Sequence, residues 1–88
     1  MAMVTIRYWA AAKDAAGVAA ESLDAGTLAD ALSTALRSRD HERSERLRGV
    51  LARSSFLIDG HPAGVRPHQD ITLAETAVIE VLPPFAGG

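Results

Sequence analysis

The stretch Val78-Ile79-Glu80-Val81-Leu82, closed by Pro83-Pro84, constrains the fold more than any other part of the chain. Four of its five residues are large and apolar, which predicts a strand central in a sheet rather than at its edge. Proline has no amide proton to donate to a ladder, so the pair ends the strand at Leu82. The rest of the sheet has to be built by segments that come earlier.

Three such segments are legible. Met3 to Trp9 alternates, with Val4, Ile6 and Tyr8 on one face and Thr5, Arg7 and Trp9 on the other, the period of a strand. Val18 to Asp24 is a second strand with weaker alternation. Ser55 to Ile58 is a compact apolar strand followed by Asp59-Gly60, a pair that tolerates positive φ at both turn positions and so predicts a hairpin. His61-Pro62-Ala63 begins the return. Between Val65 and Glu75 the chain reads as a loop broken by Pro67, with Ile71 and Leu73 as inward anchors.

The helical segments lie between. Ala10 to Gly17 is alanine-rich and predicts a short helical turn stopped by Gly17. Thr27 caps a helix that runs to about Arg37, with Asp30 three residues on. Leu28, Leu32 and Leu36 recur along it, with Ala29 and Ala35 on the same side. Arg39 to Arg48 is the most charged stretch. Asp40 and Arg43 are spaced i,i+3 and Glu42 and Arg46 i,i+4, and Leu47, Val50 and Leu51 form a narrow stripe behind them. A second, short helix with a solvated face is expected there. The fold class is α+β: a mixed sheet packed by one main helix plus a short second helix.

Composition narrows the function classes. The 88 residues suffice for one modest core, although seventeen alanines inflate the apolar fraction of 48%. A net charge of −2 gives no electrostatic reason to expect nucleic acid or an acidic membrane surface as partner. No stretch approaches the roughly 20 apolar residues of a membrane span. The opening MAMVTIRYWA lacks the pattern of a secretory leader, so a cytoplasmic location is expected. With no cysteine there is no disulfide, thiolate metal site or thiol nucleophile.

Inside the predicted fold no catalytic motif is found. There is no glycine-rich phosphate loop and no GxSxG serine. His41, His61 and His68 do not have the spacing of a metal site and read as surface histidines. Asp59 reads as a turn former, and Asp70 and Glu75 as loop residues. One ionisable group stands in an unusual place, the α-carboxylate of Gly88 in the ending LPPFAGG.

That ending has a physical logic. Gly87 and Gly88 lack Cβ atoms, so their backbone passes through a slot too narrow for other residues. Pro83 and Pro84 hold the start extended and reduce the entropy lost on insertion. Phe85 to Gly88 reach roughly 13 Å beyond the fold at about 3.3 Å per residue. Two accounts stand on these grounds: a probe that carries its carboxylate into another protein's active site, or a frayed terminus that ends in glycines.

The motif resembles the LPPxxGG terminus of the small, ubiquitin-like β-grasp sulfur carriers, the family of the molybdopterin synthase small subunit and the thiamine sulfur carrier. Ile6-Arg7-Tyr8-Trp9-Ala10 through Gly17 is similar to the opening of the molybdopterin branch. Thr27 to Leu32 is similar to its helix start, and Phe56-Leu57-Ile58-Asp59-Gly60 to its strand and turn. Family members commonly carry Gly-Asp before the last strand, where this chain has Thr76-Ala77. The resemblance implies a β-grasp domain over residues 1–82 and a flexible Gly-Gly tail over 83–88.

It also implies a chemistry. An ATP-dependent adenylating enzyme, like those that start ubiquitin transfer, activates the carboxylate of Gly88, and a sulfur donor converts the acyl-adenylate to a thiocarboxylate. The loaded tail then enters the large catalytic subunit of molybdopterin synthase and gives its sulfur to a cyclic pterin precursor. Gly88 is the reacting group, Gly87 provides clearance, and Pro84, Phe85 and Ala86 guide the tail. No cofactor is expected to bind, no catalytic side chain is expected in this chain, and ATP is used by the activating partner. A carrier for thiazole or cysteine synthesis, a ubiquitin-like modifier joined through Gly88, and an interaction domain with an inert tail are the alternatives.

Overall fold

The first strand, β1, runs over Ala2–Tyr8 with alternating burial. Val4, Ile6 and Tyr8 are buried while Met3 and Arg7 face out. The computed structural model describes residues 2–84. After β1 the alanine-rich segment forms helix α1, Ala11–Ala16. It ends at Gly17, whose φ of 82° is left-handed and whose amide donates to the Lys13 carbonyl. A side chain at Gly17 would also meet the guanidinium of Arg43.

Strand β2, Ala20–Ala25, lies antiparallel to β1 with Ile6 opposite Glu21 and Val4 opposite Leu23. It starts two residues later than the sequence predicts. Helix α2, Leu28–Arg37, begins as expected: the Thr27 hydroxyl accepts from the Asp30 amide at 3.1 Å. Its most buried positions are Leu28, Ala31 and Ala35, with Leu32 and Leu36 half-buried at the flank.

The charged segment departs from expectation. It continues into helix α3, His41–Arg53, which at 13 residues is longer than the 10 of α2. Asp40 does not pair with the side chain of Arg43; its carboxylate caps the helix by accepting from the Arg43 amide at 2.9 Å. The Arg43 guanidinium instead donates to the carbonyls of Asp14 and Ala15 at the end of α1, where cations are favoured. Among the described residues the ion pair on α3 is Glu45 with Arg48, rather than Glu42 with Arg46. Leu47, Val50 and Leu51 are buried as the stripe predicts.

Strands β3, Ser55–Ile58, and β4, His61–Pro62, form the predicted hairpin. Asp59 and Gly60 both have positive φ, 51° and 83°. The following loop holds a 3-10 turn at His68–Asp70. Ile71 and Leu73 are buried, and the Ile71 carbonyl and Leu73 amide bond to the start of α2 and to Gly26.

Strand β5, Val78–Leu82, is central. The sheet order is β2-β1-β5-β3-β4, with β5 parallel to β1 and antiparallel to β3. Val4, Ile6, Tyr8, Phe56, Ile79 and Val81 share one core with the buried faces of all three helices. The opposite face carries Thr5, Arg7, Val78, Glu80, Leu82 and Leu57, none of them in that core.

Candidate functional site

The candidate site is the point where β5 leaves the sheet. Leu82 still pairs with Ser55 of β3, and on the other side the Trp9 amide donates to the Val81 carbonyl at 3.3 Å. The last residues of β5 are thus held from both flanks. Pro83 then withdraws the donor that a further rung needs, and Pro84 is exposed. Of the sequence-predicted site residues, Pro84 stands at this exit, whereas Phe85, Ala86, Gly87 and Gly88 lie outside the described residues.

Beside the exit sits a group that sequence reasoning placed on the right face but gave no role. Trp9 is 43% exposed. Its indole Nε1 donates to Glu80 Oε1 at 3.2 Å, and the Arg7 guanidinium lies 5.2 Å from the centre of its ring. Arg7 and Glu80 are register partners across β1 and β5. The ring is therefore tied to the outer sheet face by one cation and one carboxylate, each contact contributing about 1 kcal/mol or less at this exposure. Half-buried Leu57 and Leu82 continue the face next to Glu80. The available signal was a large aromatic residue at an outward position of an amphipathic strand.

Directly after Trp9 the backbone is strained. Ala10 has φ 50° and ψ −124°, a region that glycine fills without cost. This turn swings the chain from β1 into α1. Trp9, Ala10, Lys13 and Ala20 thereby line an open cleft of about 470 Å³ between the end of β1, α1 and the start of β2.

The remaining candidates lie elsewhere. His41 opens α3, His61 lies on β4, and His68 packs edge-on against Phe56 with ring centres 5.1 Å apart. Among the described residues no three potential ligands converge on a metal position, and no helix is long and apolar enough to cross a membrane. Asp59 does more than form a turn: its carboxylate accepts from the Val78 amide at 2.9 Å and fastens the hairpin to β5.

No protein-family model and no curated protein matches the chain. Solved structures do. Small archaeal modifier protein 1 from Methanosarcina acetivorans superposes with a TM-score of 0.79 at 22% identity, over 100% of this chain and 98% of that one. The protein of the same name from Haloferax volcanii gives 0.76 at 18% identity, over 98% and 99%. The complex of subunits 1 and 2 of molybdopterin-converting factor from Helicobacter pylori gives 0.67 at 23% identity, over 98% and 99%. Strand order, the mixed sheet and the full-length superpositions agree: the chain has the α+β, ubiquitin-like β-grasp fold of these small proteins.

Proposed function

We propose that the chain is a cytoplasmic sulfur carrier, the small subunit of a molybdopterin synthase, with the carboxylate of Gly88 as its reacting group. The observation that carries this is the exit of β5. A central strand, clamped by β1 and β3, ends at Leu82 beside Trp9 and passes into Pro83 and the exposed Pro84. A carboxylate is a poor electrophile at neutral pH. Adenylation by an ATP-dependent partner converts it to an acyl-AMP, and a sulfur donor displaces AMP to leave a thiocarboxylate on Gly88. Pro84, Phe85 and Ala86 guide the tail into the large subunit, and Gly87 lets it pass. The catalytic side chains for sulfur transfer to a cyclic pterin belong to that subunit. One of the superposed structures is itself a complex of the two subunits of molybdopterin-converting factor, which supports a large partner of that kind.

The test is the intact mass of the protein purified from its own cells, followed by reconstitution. A fraction with one oxygen replaced by sulfur, able to sulfurate the pterin precursor with the large subunit, is the expected result. An alanine added after Gly88 abolishes transfer and leaves stability unchanged. A thiocarboxylate that turns over only in a thiazole or cysteine system overturns the molybdopterin assignment.

A second reading is a ubiquitin-like modifier, favoured by the superposition on two proteins described as archaeal modifiers. Higher-mass conjugates in cells that vanish on deletion of Gly88, with cofactor synthesis intact, distinguish it.

A further inference from the structure

The two edges of the sheet are unlike. The order β2-β1-β5-β3-β4 leaves β2 and β4 at the margins. β4 has 2 residues and one of them is Pro62, a short edge that proline closes to further pairing. β2 runs for 6 residues, Ala20–Ala25, with no proline and no lysine, and its register on β1 is unbroken from Arg7 and Ala20 to Ala2 and Ala25. An inward-pointing charge ordinarily guards such an edge. Here that charge, Glu21, is paired with Arg39 at 2.8 Å.

The groups on the open edge follow from the ladder. The Tyr8 amide donates to the Ala19 carbonyl at 2.8 Å, and antiparallel strands bond on alternate residues. Glu21, Leu23 and Ala25 therefore turn their backbone groups to β1, while Ala20, Ser22 and Asp24 turn theirs outward. Among the described residues these outward groups face no further strand. Apolar surface runs beside them. Leu23 is half-buried on the helix side of β2, and the half-buried Leu32 and Leu36 stand two turns and one turn before Arg39, the residue that reaches Glu21.

Charge along this edge is polarised. Asp24 lies near the end of β2, and Asp30 follows in the first turn of α2. Arg37 sits in the last turn of α2, at the other end of β2, where Arg39 meets Glu21. Asp24, Asp30 and Arg37 are exposed, and among the described residues none has an oppositely charged partner. The Arg37 guanidinium donates to the hydroxyls of Ser33 and Thr34 on its own helix.

We infer that the β2 edge is a self-association surface whose occupant is the β2 edge of a second copy, joined antiparallel about a twofold axis at Leu23 into one continuous sheet. In that arrangement Ser22 of each copy pairs with Asp24 of the other, and Leu23 faces Leu23. The flanks of α2 that carry Leu32 and Leu36 approach each other across the axis. The acidic end of each copy comes to the basic end of the other, Asp30 toward Arg37. Any extended peptide satisfies the edge backbone, but a second copy presents the same two charges in reverse order by symmetry. β1 lies between this edge and β5, so the association leaves the exit of β5 clear and is independent of the carrier reading.

The contact is small, so the equilibrium is weak and is read at high protein concentration. Sedimentation velocity of the full chain, from micromolar to millimolar at low salt, is expected to show monomer and dimer in exchange, with less dimer as salt rises. Amide exchange followed by NMR over the same range locates the contact. The Ser22 and Asp24 amides are expected to slow as concentration rises, while those of Glu21 and Leu23, already bonded to β1, keep their rates. Asp30→Arg and Arg37→Glu each weaken association by at least about tenfold, and an equimolar mixture of the two variants regains it, because every arginine then faces an acid. A chain that stays monomeric at millimolar concentration overturns the inference. So does a dimer whose Ser22 and Asp24 amides exchange as fast as in the monomer, or a pair of variants that does not recover on mixing. Failure of the carrier assignment is read separately, as absence of the thiocarboxylate mass in protein from its own cells.

Discussion

Tyr8 joins three segments of the chain through one hydroxyl. The ring is buried in the core, its oxygen donates to the Glu21 carboxylate, and Glu21 also accepts from Arg39 at 2.8 Å. Arg39 has only 8% of its side chain exposed and donates further to the carbonyls of Ala16 and Ala35. Burial, then the hydrogen bond and charge of Glu21, push the Tyr8 phenol above its ordinary range against a smaller opposing pull from Arg39. The unfolded chain releases this proton near pH 10, while the folded chain still holds it. Stability is therefore complete below about pH 10 and falls as pH rises beyond it. Denaturant melts of Tyr8→Phe are expected to show a loss of about 1 kcal/mol at neutral pH and a flatter alkaline decline. An unchanged alkaline slope assigns that decline to other groups. The inward face of Tyr8 is readable from the alternation of β1, but its partners are not, because Glu21 and Arg39 meet it only after two chain reversals. Thr76 is a second such case. It has φ 64°, left-handed for a β-branched residue, and its amide donates to the Met3 carbonyl. A β-branched residue thus stands in a glycine-type conformation. Thr76→Gly is expected to stabilise the fold by about 1 kcal/mol, seen as a higher melting temperature.

At the scale of elements, helix α3 shows how charge pattern and burial divide their roles. The charged residues of Arg39 to Arg48 indicate a solvated helix, and the Asp40 cap starts it. Its length is set by Leu47, Val50 and Leu51, which enter the common core three turns from the start or nearer. Leu47 is fully buried, whereas Leu32 of α2, equally prominent in the leucine repeat, is only half-buried. Leu47→Ala is expected to cost about 3 kcal/mol and Leu32→Ala clearly less, measured by chemical denaturation. Equal costs are the outcome that contradicts this ranking. The leucine spacing marked the correct side of α2, but only Leu28 of the repeat is fully buried; Ala31 and Ala35 take the other deepest positions and let the helix approach its neighbours closely. The same closeness leaves Leu32 and Leu36 at the margin.

For the molecule as a whole, the core and the candidate site are separated in space. The core lies on one side of the sheet, and the exit of β5, with Trp9, Arg7 and Glu80, lies outside it. Under the carrier role proposed above, Gly87→Val is expected to leave the melting temperature unchanged while blocking sulfur transfer, because a branched side chain fills a slot sized for bare backbone. Transfer at the normal rate in that variant removes the case for a narrow partner channel. The division also marks what the linear chain determines by itself. Local interactions suffice for the strands, the Thr27 cap, the Asp59-Gly60 hairpin and the proline stop, since each depends on residues within a few positions of one another. The central place of β5 is foreshadowed by its apolar run. Tertiary structure alone decides that β5 lies parallel to β1, that Arg43 closes α1, that Arg39 reaches Glu21, and that Trp9 reaches Glu80 and Val81 of β5. Those are contacts between distant segments, and their free energy exists only once the sheet has brought them together.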